Sequence, residues 1–83
     1  MGSMKNEANN AVLANEILQG IAVRMGRPTE AILDGIISLC SESETWGDRI
    51  SSLNIQHTAK LWRVQPIQIW QIYAEWRKSS QTV

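Results

Sequence analysis

The side chains with the most recognisable chemistry lie in the last third of the 83-residue chain. Glutamine amides can bond to the adenine edge, apolar side chains can touch the thymine methyl, and lysine or arginine can hold phosphates without reading sequence. Residues 58–78 carry all three kinds. The residues predicted to contact duplex DNA are Lys60, Arg63, Gln65, Ile67, Gln68, Gln71, Arg77 and Lys78. A solvated polar helix face is the alternative explanation of the same glutamines.

Charge is divided unevenly along the chain, although the formal net charge is zero. Residues 1–48 carry three basic and seven acidic side chains, a net charge of −4, and residues 49–83 carry five basic and one acidic side chain, a net charge of +4. The zero total argues against a strong non-specific binder of polyanions. The split between the two halves indicates a nucleic-acid or membrane face on the second half.

Catalytic and metal chemistry have little support in the residue types. His57 is the only histidine and Cys40 the only cysteine, and a triad of these two with Asp48 has no nucleophile motif around it. No Cys/His cluster has metal-ligand spacing, and no glycine-rich loop has a phosphate-binding form. We therefore expect no enzyme activity, no cofactor, no metal and no small-molecule substrate. Cys40 is expected to be a small buried hydrophobe.

The composition predicts one small globular domain, because 43% of the residues are hydrophobic and 19% are charged. No run reaches the ~18 apolar residues of a membrane span, and no signal-peptide pattern opens the chain. These features, with a single cysteine, favour a cytoplasmic protein that does not enter a membrane. We assign residues 1–8 to a tag remnant and flexible N-terminus, 9–78 to a single helical domain, and 79–83 to a flexible tail.

Apolar residues recur at helical spacing, and no segment has the pattern of a strand. The first helix is expected to begin at Asn9 or Asn10 and to close at a left-handed Gly26. Pro28 fits the first position of a second helix, which carries a buried stripe as far as Cys40. The polar residues 41–44 predict a loop after it.

Residues 45–62 are expected to be helical, as one helix or as two. Thr45 and Asp48 have capping-box spacing, and Asn54 can cap a separate helix. An apolar face of this segment is formed by Trp46, Ile50 and Leu53. Residues 63–65 predict a turn, since the residue before Pro66 avoids the α region, and the last helix runs to about residue 78. The fold class is therefore all-α, a small bundle of four or five helices.

The last helix has three faces at ~100° per residue. The core face is formed by Ile69, Ile72, Tyr73 and Trp76. The polar face is formed by Gln68, Gln71, Glu75 and Lys78. A third, apolar face of Ile67, Trp70 and Ala74 needs a cover, either from the first or second helix or from a partner protein or second copy of the chain, for which tryptophan is a favoured anchor.

Residues 55–74 resemble the helix-turn-helix of DNA-binding proteins. The resemblance rests on a small Ala59 in the first helix, an inward Trp62, Val64 closing the turn, and the pair Ile69 and Ile72 in the second helix. The segment "MGRPTEAILDGIISL" also resembles the openings of small phage-type helix-turn-helix proteins, including terminase small subunits. The resemblance implies that the C-terminal helix pair ends in a helix, residues 66–78, that reads duplex DNA in a regulator or packaging factor.

Arg63 departs from the helix-turn-helix pattern, because the family usually has glycine there in a left-handed conformation. A left-handed arginine costs about 1–2 kcal/mol, so we expect either a positive φ at Arg63 or a rearranged turn. The alternative function is an all-α protein-interaction domain whose tryptophan-rich C-terminal helix binds a partner protein or a second copy. Salt distinguishes the two functions, since DNA binding through lysine and arginine weakens steeply with salt.

Overall fold

The computed structural model describes the backbone of residues 2–81 and the side chains of residues 9–80. The chain forms α1 (Gly2–Met25), α2 (Thr29–Trp46), α3 (Arg49–Trp62) and α4 (Pro66–Gln81). No strand occurs among the described residues, which confirms a small all-α bundle and fixes the number of helices there at four. The C-terminal pair, α3 and α4, is joined by the three-residue turn that the sequence predicts.

The corner between α1 and α2 is built by a left-handed glycine and a proline. Gly26 has φ 64°, as predicted, and the amide of Arg27 donates to the carbonyl of Ala22 at 2.9 Å. Pro28 stands before α2 with an extended ψ of 150°, so it is the cap residue and not the first helical one. The predicted helix start at Asn9 or Asn10 is wrong, because α1 already runs from Gly2.

The two predicted flexible termini stay predictions. Met1, Thr82 and Val83 lie outside the described residues, as do the side chains of residues 2–8 and 81. The backbone of the last helix continues past the predicted end, from residue 78 to Gln81.

The predicted loop at residues 41–44 is wrong, since α2 continues through it to Trp46. The helix ends at Gly47, whose φ is 58° and whose amide donates to the carbonyl of Ser43 at 2.8 Å. A left-handed glycine ends a helix without the steric cost that a side chain brings. Trp46 is therefore the last residue of α2 and does not belong to a following helix.

A single helix, α3, follows from Asp48, and this settles the alternatives for residues 45–62. The Asp48 carboxylate accepts hydrogen bonds from the Ser51 amide at 2.9 Å and the Ser51 hydroxyl at 2.7 Å. These bonds, the amide first, hold the pKa of Asp48 below its usual value. Asp48 is thus the cap, so the predicted Thr45 capping box is wrong. Asn54 lies inside the helix and caps nothing.

The core draws side chains from all four helices. Its buried members are Ala14, Ile21, Ala22, Ile32, Ile36, Cys40, Ile55, Ala59, Trp62, Ile69, Ile72 and Tyr73. The predicted core face of α4 is confirmed for Ile69, Ile72 and Tyr73, while Trp76 is half-buried against the same core. Cys40 is fully buried as expected, and this burial, with a smaller effect of the Glu44 charge, raises the pKa of its thiol to about 12.

The predicted apolar face of Trp46, Ile50 and Leu53 faces solvent. These side chains are 70%, 70% and 41% exposed. The buried face of α3 is instead formed by Ser51, Ile55, Ala59 and Trp62. The inward positions that the sequence predicts for Ala59 and Trp62 are confirmed, whereas the apolar spacing of Ile50 and Leu53 marks the opposite, exposed side of the same helix.

The turn between α3 and α4 depends on a left-handed arginine. Arg63 has φ 60° and ψ 43°, so the structure has the first of the two alternatives, a positive φ. The amide of Val64 donates to the carbonyl of Ala59 at 2.9 Å, which closes the end of α3. The guanidinium of Arg24 on α1 donates to the carbonyl of Trp62, one residue before the turn. Arg24 of α1 therefore stabilises the C-terminal end of α3.

Replacing Trp62 tests the packing across the turn. Trp62 is 9% exposed and lies in the same core cluster as Ile69, so Trp62→Ala should lower the free energy of unfolding by about 3–5 kcal/mol through the cavity that it leaves. The same change at the exposed Trp46 should cost less than about 0.5 kcal/mol. Urea unfolding of both variants measures the difference. Equal effects would contradict the placement of Trp62 in the core.

Replacing Arg63 tests the cost of its conformation. Arg63→Gly removes the left-handed strain and should stabilise the fold by up to about 1 kcal/mol in thermal unfolding. Arg63→Ala keeps a Cβ in the left-handed region, so it separates the backbone effect from loss of the charge. Destabilisation by glycine beyond that caused by alanine would show that Arg63 does not have a positive φ in solution.

Candidate interaction surface on α4

One side of α4 faces away from the bundle. Ile67 is 63% exposed, and Gln71, Ala74 and Lys78 are exposed at the following turns. Trp70 is half-buried at the border of this strip. The predicted polar and apolar faces of α4 therefore adjoin on the outward side, opposite Ile69, Ile72 and Tyr73. We call Ile67, Trp70, Gln71 and Ala74 the outward face.

One of the glutamines predicted to read DNA, Gln68, caps the first turn of α4. The Gln65 amide donates to the Gln68 Oε1 at 2.8 Å, and the Gln68 amide donates to the Gln65 carbonyl at 2.9 Å. The side-chain bond is one half of a capping box, in which glutamine at the third helical position reaches back to the amide of the cap residue. Gln68 is half-buried and its carbonyl oxygen is engaged, while Gln71 is exposed. Of Gln68 and Gln71, Gln71 is the one whose side chain can contact a ligand without losing a bond within the helix.

Two of the four predicted phosphate contacts, Arg77 and Lys78, form ion pairs in the last turns of α4. Arg77 Nη1 lies 2.7 Å from Glu44 Oε2 on α2, and the Tyr73 hydroxyl donates to Glu44 Oε1 at 2.7 Å. The Arg77 guanidinium also lies over the Tyr73 ring, 5.7 Å from its centroid. Lys78 Nζ lies 3.2 Å from Glu75 Oε2. The basic end of the helix is therefore largely neutralised by acids of the same domain.

Two cations beside the start of α4 are not neutralised in this way. Lys60 and Arg63 are exposed, and neither forms an ion pair with any side chain in the described range 9–80. Both lie in the sequence just before Gln65 and Pro66. The positive charge next to the outward face is therefore that of two side chains, not the four that the sequence predicted.

Trp70 is held at the edge of a cleft between three helices. Its ring meets the Tyr73 ring edge-on, with centroids 5.9 Å apart. The cleft has a volume of about 440 Å³ and is lined by Ser43, Ser52, Ile55, Gln56, Lys60, Pro66 and Trp70. Residues of α2 and α3 thus face the indole across the cleft. The other members of the predicted apolar face, Ile67 and Ala74, are exposed.

Glu44 is the residue of this region that sequence reasoning missed. It lies 29 residues from Tyr73 and 33 residues from Arg77, its two partners. Because residues 41–44 were assigned to a loop, no local pattern pointed to this contact. Arg24 was missed for the same reason, since its acceptor at Trp62 is 38 residues away.

The three residues considered for a catalytic triad do not form a cluster. His57 is exposed on α3, Cys40 is buried in α2, and Asp48 caps α3. Within the described residues, no three His, Cys, Asp or Glu side chains are grouped so that they could hold a metal ion. No helix in that part of the chain combines the length and apolarity needed to cross a membrane. Comparison with protein-family models, curated proteins and solved structures found no match to this chain.

The capping role of Gln68 can be separated from a role in binding. Gln68→Ala removes the acceptor of the Gln65 amide and should lower the free energy of unfolding by about 0.5–1 kcal/mol. Gln71→Ala is the matched control, because the exposed Gln71 side chain makes no such bond, and it should leave the stability unchanged. Chemical unfolding of the two variants decides this. Equal stability would mean that the cap does not form in solution.

Proposed function

We propose that this protein is a helical protein-interaction domain that binds a partner protein through the outward face of α4. One observation carries the proposal: Ile67 is 63% exposed and adjoins Trp70 and Ala74, while Arg77 and Lys78 are paired with acids. The apolar face that the sequence predicts on this helix is therefore exposed at Ile67 and Ala74. Tryptophan at the edge of such a surface is a frequent anchor of protein interfaces.

The energetics favour a protein partner over a polyanion. Covering the exposed two-thirds of Ile67 contributes about 1–2 kcal/mol, and Trp70 adds aromatic area that is still partly exposed. Lys60 and Arg63 would form part of a polar rim around this apolar centre. By contrast, two phosphate contacts give only about a tenfold loss of DNA affinity between 50 and 200 mM salt, against 10³–10⁵ for six to ten contacts. A face with only two unpaired cations beside it in the described range therefore favours a protein partner over duplex DNA.

Duplex DNA binding is the second candidate, and the α3–α4 turn favours it. The left-handed Arg63 stands where the helix-turn-helix resemblance requires a left-handed residue, and the α4 residues that follow it are exposed. In this reading Lys60 and Arg63 hold phosphates, and Gln65, Ile67 and Gln71 meet base edges. Gln68, Arg77 and Lys78 would have to exchange their internal partners for DNA, and for the exposed ion pairs of Arg77 and Lys78 this exchange costs little.

A photo-crosslinking amino acid in place of Gln71 tests the proposal in cells that express the protein. We expect a defined protein to be crosslinked to the otherwise unchanged chain, and the yield to fall at least tenfold when Ile67→Glu is added. Val23→Glu is the matched control: it introduces the same charge at another apolar side chain, 83% exposed on α1, and should keep the crosslink. A crosslink that survives Ile67→Glu would contradict the proposed surface.

Titration with pooled duplex DNA at about 50 mM salt, where phosphate contacts are strongest, tests the second candidate on the same chain. Affinity for DNA that falls with Lys60→Ala and Arg63→Ala, together with no protein crosslink at Gln71, would overturn the protein-interaction proposal in favour of DNA binding. We expect at most weak DNA affinity, lost by physiological salt.

A further inference from the structure

The third helix carries a second apolar face that the bundle does not use. Its inward side is buried in the core, but Ile50, Leu53 and Leu61 on the opposite side are 70%, 41% and 66% exposed. At 100° per residue these three and the exposed His57 fall within an arc of about 80°, over a length of about 17 Å. We call Ile50, Leu53, His57 and Leu61 the outer stripe. Helices with an apolar stripe of this regularity usually pack against another helix.

Both ends of the outer stripe combine a protruding aliphatic side chain with a shallow hollow. At the first end, Trp46 is 70% exposed and lines a hollow of about 340 Å³ together with Ile50 and Asn54. At the second end, His57 and Leu61 line a hollow of about 410 Å³. A helix that lies along the stripe can therefore place a side chain into a hollow at each end, as knobs enter holes between packed helices.

The charges at the two ends are opposite in sign. The end at Trp46 carries Glu42, Asp48 and Arg49, a net charge of −1, and the end at Leu61 carries Lys60 and Arg63, a net charge of +2. A partner helix that runs antiparallel to α3 should therefore carry basic residues at its end near Trp46 and acidic residues at its end near Leu61. The stripe of another copy of this chain meets both requirements when it is turned end for end.

We propose that a second copy of this chain docks on the outer stripe, with the two α3 helices antiparallel. Ile50 of one copy then meets Leu61 of the other, and the midpoint of this pairing falls between Ile55 and Gln56. The same arrangement brings the acidic end of each copy near the basic end of the other. Apolar and charged contacts are thus satisfied by one arrangement, in which each copy supplies the same surface.

A parallel arrangement lacks this match. It places the two −1 ends together and the two +2 ends together, so the charges repel at both. The outer stripe lies on α3 and the surface proposed for a partner protein lies on α4, so this inference does not depend on the proposed function. Few large side chains line the stripe, which puts the contact at the small end of specific interfaces and predicts a reversible dimer.

Sedimentation of the full chain tests whether the dimer forms and where. We expect monomers near ~1 µM and dimers near ~300 µM, the range of a weak, reversible association. Leu61→Glu should keep the chain monomeric across this range, while Val23→Glu, with the same charge change on α1, should dimerise like the unchanged chain. Both variants should give an unchanged circular dichroism spectrum and melting curve. A chain that stays monomeric at ~300 µM, or a dimer that survives Leu61→Glu, would overturn the proposal.

Disulfide trapping tests the antiparallel register. Chains carrying Ile50→Cys and chains carrying Leu61→Cys are oxidised with oxidised glutathione, separately and as an equal mixture. The mixture should form the crosslinked dimer, whereas each variant alone should not, because its two engineered cysteines lie about 17 Å apart across the dimer axis. Cys40 is fully buried and can stay in place. Disulfide crosslinking of either variant alone would contradict the antiparallel register. So would the absence of a crosslink in the mixture when sedimentation shows that the chain dimerises.

Discussion

The rest of the structure depends on the left-handed backbone of Arg63. Because α3 ends there, α4 turns back toward the bundle and inserts Ile69, Ile72 and Tyr73 into the core. A side chain in this conformation is unfavourable, and the surroundings compensate for it. The Arg24 guanidinium binds the carbonyl of Trp62, and Val64 closes the end of α3. The direction of α4, and with it the identity of its outward face, follows from this one residue.

The core residues of α4 and the turn before it could be predicted from the sequence, because both have local causes. Isoleucines spaced for one helix face identify the buried side, and Pro66 places the end of the turn. The α2–α3 boundary could not be predicted in this way. Residues 41–44 are polar, yet Glu44 stays helical and pairs with Tyr73 and Arg77 about thirty residues away. A local pattern contains no information on such a contact.

The sequence predicts an apolar face of Ile67, Trp70 and Ala74 on α4, and in the fold Ile67 and Ala74 are exposed. Ile67, Trp70, Gln71 and Ala74 do lie together on the outward side of α4. The sequence counts Arg77 and Lys78 as available charges, but in the fold Glu44 and Glu75 pair with them. The sequence likewise shows apolar residues on two sides of α3, and the fold shows that Ile50, Leu53 and Leu61 lie on the exposed side. Patterns of charge and hydrophobicity in a sequence predict which side chains could form an interaction surface. The fold determines which of those side chains are exposed and which have an internal partner.

Oxidative footprinting inside cells tests the central claim, that a protein covers the outward face of α4, most directly. Hydroxyl-radical labelling of Trp70 and Ile67 is compared by mass spectrometry between the chain in cells and the purified chain, with Val23 on α1 as the internal reference. The account predicts that Trp70 and Ile67 are protected in cells, that Val23 is not, and that the same protection is found when a nuclease-treated lysate is labelled. Equal labelling in cells and in the purified chain, or protection that nuclease removes, would contradict it.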